Sequence, residues 1–146
     1  MNVDVTAEVI IQRPRAEVFR FVTDVAQDTL WTSGLLEAHQ LTDGPFAAGT
    51  RIERTSKFLG RRFSYTIEIR HVEPDAHIEM VTTAGPFPMT IHYQLDDQTE
   101  GTRMRIRAMG EPGGFFSLAA PLLGRSVRRQ IGLDLETLKE VLESRS

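Results

Sequence analysis

The sequence predicts an α+β domain in which a seven-stranded antiparallel sheet curves around one long C-terminal helix. Between residues 35 and 109, six strand-like segments follow one another with short, turn-rich links, as in an antiparallel meander. The last third of the chain instead carries apolar residues at helical spacing. A sheet with one apolar face must cover that face, and the C-terminal helix is the element large enough to do so.

The chain opens with a strand and two short helices. Apolar and mostly polar residues alternate over residues 3–11, which is the period of a half-buried strand. Pro14 suits the first position of a helix, and an apolar stripe at helical spacing follows it. Asp24 and Gln27 resemble a capping box, so we expect a second short helix that ends near Trp31, the one tryptophan of the chain.

The six later strands and the long helix follow from the same periodicities. The strands are expected at residues 35–43, 50–59, 61–72, 77–83, 89–96 and 102–109. In the third of these the apolar step after Ile69 is three instead of two, which predicts a bulge near Arg70 or His71. The helix is expected around residues 116–143, with a buried stripe made of Val127, Ile131, Leu135, Leu138 and Leu142. The first strand should pair with the last.

Composition limits the classes of function. The 146 residues are expected to form one domain, 1–146, and the absence of cysteine excludes disulfides and thiolate nucleophiles. A net charge of −3 gives no electrostatic reason to expect a nucleic-acid partner. The chain has no apolar run of about 18 residues and no signal-peptide pattern. We therefore expect a cytoplasmic protein without integral membrane association.

Sequence motifs for metal, phosphate or nucleophile chemistry are not found. The segment GPFAAGT lacks the end of a phosphate loop, and neither GxSxG nor HExxH occurs, so we expect no metal and no cofactor. A surface position is expected for His71, although a bulge could turn it inward. Arg103 and Arg107 of the last strand should face outward and pair with Glu8 and Asp4 of the first strand.

The inward faces of the strands predict an apolar surface with few polar groups. Alternation places both tyrosines, Tyr65 and Tyr93, on this face, with three of the five methionines. No Asp, Glu or His falls clearly on the inward face of a strand, which weighs against general acid–base catalysis. Tyr65 and Tyr93 are therefore weak catalytic candidates, and each hydroxyl could equally bond a ligand, water or the backbone.

A family resemblance rests on the element order and on three stretches of sequence. These are RPRAEVFRFVTDVAQDTLWTSGLLEAHQLTDGPFAAGTRI, IRHVEPDAHI and RSVRRQIGLDLETLKEVLE. They resemble the START-related helix-grip superfamily, in its polyketide cyclase/dehydrase branch, over nearly the whole chain. The resemblance implies a deep apolar cavity between the sheet and the long helix. It leaves the chemistry open, because members include cyclases, lipid carriers, quinone binders and protein-binding modules.

A cavity of this kind would have a volume of ~300–1,000 Å³. The side chains expected to contact a small hydrophobic ligand are Trp31, Phe58, Tyr65, Ile67, Met80, Ile91, Tyr93, Met104, Phe116, Leu123 and Val127. Trp31 could be a wall residue near the entrance or a core plug between helix and sheet. In the uncharged segment GGFFSLAAPLLG, the two phenylalanines could form a portal, whereas Leu122 and Leu123 are expected to be buried at the start of the helix.

Three functions follow from this sequence. The first is binding or transport of a small hydrophobic ligand such as a lipid, a polyketide or an isoprenoid, which the methionine-rich inward face favours. The second is a polyketide cyclase or aromatase that holds a flexible substrate in a reactive fold, with Tyr65 or Tyr93 assisting. The third is a protein-interaction module with a filled core.

Overall fold

The computed structural model describes residues 3–58, 60–85, 88–110 and 120–145, and it confirms the predicted order of elements. The strands are β1 Val3–Ile11, β2 Leu35–Gln40, β3 Arg51–Phe58, β4 Arg61–Glu73, β5 His77–Ala84, β6 Met89–Gln98 and β7 Gly101–Gly110. The helices are α1 Arg15–Val22, α2 Asp28–Trp31 and α3 Ala120–Glu143. A 3₁₀ turn at Val25–Gln27 precedes α2, and the side chain of Asp24 caps it by accepting from the backbone N–H of Ala26.

All seven strands form one antiparallel sheet in the order β1-β7-β6-β5-β4-β3-β2. The first strand pairs with the last as predicted, with Val3 opposite Gly110 and Ile11 opposite Thr102. The predicted bulge is present, because the register between β4 and β5 shifts between Ile69 and His71. Ile69 is fully buried, and His71 lies exposed on the outer face.

The apolar stripe of α3 packs on the inner face of the sheet. Leu135, Leu138 and Leu142 are at most 1% exposed. Val127 and Ile131 are half-buried, since they line a cavity instead of touching the sheet along their whole length. The stripe is therefore core in its second half and cavity wall in its first half.

The start of α3 corrects one expectation. Leu123 is buried as expected, but Leu122 is 67% exposed. Neighbouring residues of a helix point about 100° apart, so the two leucines cannot both face the sheet. The next arginines, Arg125, Arg128 and Arg129, are exposed. The two phenylalanines proposed as a portal, Phe115 and Phe116, lie outside the described residues.

Polar contacts join β1 to the last turns of α3. The ammonium group of Lys139 donates to the carbonyl of Ile10 at 2.6 Å, and the backbone N–H of Gln12 donates to the Glu143 carboxylate at 2.7 Å. Hydrogen bonds from Lys139 and from the Gln12 N–H lower the pKa of Glu143. Arg13 donates to the carbonyls of Glu143 and Arg145 at 2.8 and 2.7 Å. The first strand is thereby fixed to both β7 and the helix.

The outer face of the sheet carries the predicted ion pairs. Arg107 holds Asp4 through two hydrogen bonds of 2.9 and 2.7 Å, and Arg103 lies 3.7 Å from Glu8. Exposed pairs of this kind add little to stability. None of the helices in the described ranges combines the length and the apolar character that a bilayer crossing requires.

Candidate functional site

A cavity lies between the inner face of the sheet and the first part of α3. The described residues around it enclose about 190 Å³ and come from six of the seven strands, the α2 region and α3. Eight of the residues predicted to face a ligand line this cavity: Trp31, Tyr65, Ile67, Met80, Ile91, Tyr93, Leu123 and Val127. The cavity formed by the described residues is smaller than the expected ~300–1,000 Å³.

The other three predicted contacts do not line the described cavity. Met104 is fully buried and belongs to the same core cluster as Leu138 and Leu142, so it is a core residue in this structure and not part of the described cavity wall. Its inward parity is correct, but it stands opposite Val9 and Leu95, where the sheet and α3 close directly on each other. The side chain of Phe58 and the whole of Phe116 lie outside the described residues.

A buried arginine forms the polar end of the cavity. Nη2 of Arg54 donates to Oδ2 of Asp28 at 2.9 Å, and the two side chains are 10% and 3% exposed. Arg54 stands between Ile52 and Ser56 on β3, so alternation gives it the inward parity of both neighbours. That parity was the available signal. Parity alone does not predict a buried arginine, because arginine is rarely buried without a partner, and this partner, Asp28, lies 26 positions earlier, on α2.

Burial and the neighbouring charges shift the pKa values of the ionisable groups at this end of the cavity. Burial raises the pKa of Asp28, and Arg54 offsets part of that rise. Burial acts to lower the pKa of Arg54, but Tyr65, Asp28 and Tyr93 outweigh it, and the pKa is raised. The guanidinium group therefore stays charged. Burial also raises the pKa of Tyr93, so its phenol is neutral and suited to hydrogen bonding more than to proton transfer at neutral pH.

Two N–H donors at this end have no hydrogen-bond partner within the part of the chain that the structure describes. They are Nε of Arg54 and Nε1 of Trp31, and both residues line the cavity. Trp31 is 3% exposed and packs edge-on against Tyr93 with ring centroids 5.9 Å apart, so it is both core residue and cavity wall. An unpaired buried N–H group is unfavourable, and a ligand oxygen placed here would satisfy it.

Smaller polar groups continue along β3 and β4. The hydroxyl of Ser56 donates to the phenol oxygen of Tyr65 at 3.5 Å, and the ring of Tyr65 lies 5.7 Å from that of Phe63. Both predicted tyrosines therefore reach the cavity, but from different strands. Tyr65 is half-buried, whereas Tyr93 is 6% exposed.

A carboxylate from α3 is part of the cavity wall, whereas Asp28 lies behind Arg54 and does not line the cavity. Asp134 is 5% exposed, and its Oδ1 accepts from the backbone N–H of Ser33 at 2.7 Å. Gln130 donates to the Ser33 carbonyl at 2.8 Å, and a Cβ at Gly34, where φ is 78°, would meet the Lys57 carbonyl at 2.5 Å. The junction after Trp31 is thus fixed to α3 and β3. The strands carry no inward carboxylate in the described ranges, as expected, but the helices supply two.

Asp134→Asn is expected to remove a pH dependence from the stability of the protein. Burial raises the pKa of Asp134 above the ~3.9 of an unfolded chain. The contribution of this group to stability is fully present below about pH 3.9 and is lost as the pH rises through the raised folded-state pKa. The unfolding free energy of the natural protein should therefore fall, relative to that of the variant, as the pH rises from about 3.9 through the raised folded-state pKa.

Urea titrations of both proteins across this range would measure the difference. Asp43→Asn, at an exposed loop position, is the matched control and should show no such trend. A constant difference between Asp134→Asn and the natural protein at every pH would contradict the prediction.

Comparison with known sequences assigns the chain to a protein family. The profile of the family described as "Polyketide cyclase / dehydrase and lipid transport" matches residues 2–143. No curated protein sequence matches the chain.

Solved structures with the same fold come from several sources. The protein TTHA0849 from Thermus thermophilus has a TM-score of 0.85 at 20% identity, over 98% of this chain and 99% of that one. A START superfamily protein from Mycobacterium smegmatis has a TM-score of 0.80 at 12% identity, over 96% and 97%. The di-domain ARO/CYC StfQ from the steffimycin biosynthetic pathway has a TM-score of 0.79 at 12% identity, over 98% of this chain and 51% of that chain. At these identities the likeness shows the fold alone.

Proposed function

Because the chain belongs to the polyketide cyclase/dehydrase and lipid transport family, we propose that it binds or carries a small hydrophobic ligand in the cavity between its sheet and α3. The proposal rests on the contrast between the apolar walls of the cavity and its one polar end. Its walls are mostly apolar, but one end holds the charged Arg54 and N–H groups of Arg54 and Trp31 that find no partner among the described residues. The ligand is therefore a compact apolar molecule, lipid-, polyketide- or isoprenoid-like, with an oxygen acceptor at one end.

Two terms contribute to the binding free energy of such a ligand. Burial of its apolar surface contributes about 25 cal/mol per Å², less the cost of association. The acceptor oxygen adds direction, because hydrogen bonds to a charged donor contribute about 1.5–3 kcal/mol. We propose that the apolar wall residues and Tyr65 supply the first term, and that Arg54, Trp31 and Tyr93 supply the second.

The alternative is a polyketide cyclase or aromatase. The placement of Arg54 near Tyr65 and Tyr93 favours it, since a guanidinium group can stabilise charge that develops on a substrate carbonyl. The raised pKa of Tyr93 speaks against a phenolate base at neutral pH. An interaction module with a filled core agrees less well with a cavity of about 190 Å³.

We also propose that the protein acts in the cytoplasm, without a cofactor and without a nucleic-acid partner.

The proposed function is tested with two probes of the same shape. Native mass spectrometry of the purified protein would identify any molecule retained in the cavity. In parallel, 2-naphthoate and 2-methylnaphthalene would be titrated separately, because they differ mainly in the carboxylate. We expect 2-naphthoate to bind about tenfold more tightly or better, as a hydrogen bond to a charged group predicts. Equal affinities, or no binding of either probe, would count against the proposed site.

Tyr93→Phe is expected to weaken binding of 2-naphthoate. Loss of one hydrogen bond to the charged carboxylate corresponds to about 1.5–3 kcal/mol, or roughly a ten- to 150-fold rise in Kd. Isothermal titration would measure this change, and a urea titration would verify that the variant is folded. If either tyrosine-to-phenylalanine change abolished turnover of a candidate polyketide while leaving its binding intact, the enzyme alternative would replace the carrier.

A further inference from the structure

On the outer face of the sheet, opposite the cavity, three of the four histidines lie close together. They lie on three neighbouring strands, and the strand register places Glu73 opposite His77, and Glu79 opposite both His71 and His92. The alternate residues of the same strands, such as Ile78 and Tyr93, are buried on the inner face. We call this outer group the histidine patch; its members are His71, Glu73, His77, Glu79 and His92.

Three members of the patch bring ligand atoms together. One ring nitrogen each of His71 and His77 and one carboxylate oxygen of Glu73 lie within 4.8 Å of one another. In a tetrahedral site with bonds of about 2.0–2.2 Å, ligand atoms lie roughly 3.3–3.6 Å apart. Side-chain movements on the order of 1 Å would therefore close these three groups around one ion. Their exposure leaves a further coordination position open to water.

The fourth member, His92, is placed to orient His77. Nε2 of His77 lies 2.9 Å from Nδ1 of His92, and the two rings are stacked 3° from parallel. When Nε2 of His77 donates this hydrogen bond, its Nδ1 carries the free lone pair that a metal requires. Nε2 of His92 in turn lies 3.9 Å from the Glu79 carboxylate. A chain of this kind behind a ligating histidine fixes its tautomer and orientation.

The backbone under the patch is held in place before any ion binds. The backbone N–H of Ala76 donates to the Glu73 carbonyl at 3.0 Å and closes the turn between β4 and β5. Arg15 of α1 donates to the carbonyl of Asp75 in the same turn at 2.9 Å. Of the nearby cations, Arg70 is paired with Glu68 at 2.8 Å and Arg107 with Asp4 at 2.7 Å, which reduces the repulsion that either would exert on a metal ion. A third cation, Arg105, stands opposite Glu8 of β1 in the strand register.

We propose that His71, Glu73 and His77 bind a divalent first-row transition-metal ion, with Zn²⁺ as the reference ion, and that His92 acts as a positioning residue for His77. Two imidazole nitrogens and one carboxylate oxygen suit Zn²⁺, Cu²⁺ or Ni²⁺, whereas Mg²⁺ and Ca²⁺ prefer oxygen ligands. The expectation of no metal site rested on the absence of a linear motif. The three ligands lie within residues 71–77, at the adjoining ends of β4 and β5 and in a spacing other than HExxH, and their support comes from β6. The site is separate from the cavity and does not depend on the function proposed there.

Isothermal titration of the full chain without an affinity tag, with ZnCl₂, tests the proposal. We expect one Zn²⁺ per chain, a rise in Tm with Zn²⁺, and no response to MgCl₂. His71→Ala and His77→Ala should each weaken Zn²⁺ binding by at least about tenfold, and His92→Gln by roughly 10–100-fold with the stoichiometry retained. His39→Ala is the matched control, because His39 is the histidine outside the patch and is 62% exposed. It should bind like the natural protein.

Several outcomes would overturn the site. One is Zn²⁺ binding by the natural protein that is no tighter than Mg²⁺ binding. Another is unchanged Zn²⁺ affinity in His71→Ala and His77→Ala, and a third is an equal loss in His39→Ala. Unchanged affinity in His92→Gln would remove the positioning role of His92 and with it that part of the proposal. Because His71 is exposed, its replacement should leave the fold intact, which a urea titration would verify.

Discussion

Leu138→Ala is expected to lower the free energy of unfolding by about 2–5 kcal/mol. Leu138 is fully buried at the centre of the α3 stripe, within the cluster that includes Leu135 and Leu142. Removing its isobutyl group loses the transfer free energy of the buried atoms and leaves a void that the sheet and helix refill only in part. The cost should lie above the median for point substitutions.

A urea titration would measure this loss, and the same helix supplies the control. Leu133 is 54% exposed, so Leu133→Ala should change stability by no more than about 0.5 kcal/mol. If Leu138→Ala cost less than about 1 kcal/mol, or no more than the control, the stripe would not be part of the core.

Asp28→Asn is expected to destabilise the protein by about 3–5 kcal/mol, because it leaves the charge of Arg54 buried without its counter-ion. The ion pair joins α2 to β3 at 2.9 Å, with both side chains almost wholly buried. A double variant, Asp28→Leu with Arg54→Met, should recover most of the loss, since apolar groups of similar volume often replace a buried pair at little cost. The double variant should also lose the preference for 2-naphthoate over 2-methylnaphthalene.

The control for this pair is an ion pair of similar length at the surface. Asp97 lies 2.8 Å from Arg15, and its side chain is 76% exposed. Asp97→Asn should therefore cost only ~0–1 kcal/mol in the same urea titration. If Asp28→Asn and Asp97→Asn had equal effects, the Arg54–Asp28 pair would be solvated and would not form a dry end of the cavity.

The fold was predictable from the sequence because its signals are local. Strand alternation and the spacing from Val127 to Leu142 are each recorded within a few residues of the chain. The same parity correctly placed Tyr65 and Tyr93 on the cavity wall. Met104 has the same inward parity but lies in the core, because parity gives the face of a strand and not the point along it at which the helix closes on the sheet.

The charged groups of the site were beyond this reasoning for another reason. Arg54 has inward parity, but its burial depends on Asp28, and that partner is supplied by the packing of α2 across β3. Asp134 reaches the wall through a contact with Ser33 that spans 101 positions. The histidine patch likewise exists only once β4, β5 and β6 are in register. Periodicity describes one element at a time, and these groups are properties of pairs of elements.

The pairing of β1 with β7 has a consequence for the order of events during synthesis. β1 is made first, yet its hydrogen-bonding partner is β7, and its polar contacts through Lys139 and Glu143 come from α3. Until those segments leave the ribosome, the nascent meander exposes the apolar inner face that α3 later covers. Contacts between segments that are far apart in the sequence slow folding and prolong the exposure of apolar surface. The growing chain can therefore bury this face only after β7 and α3 have both emerged.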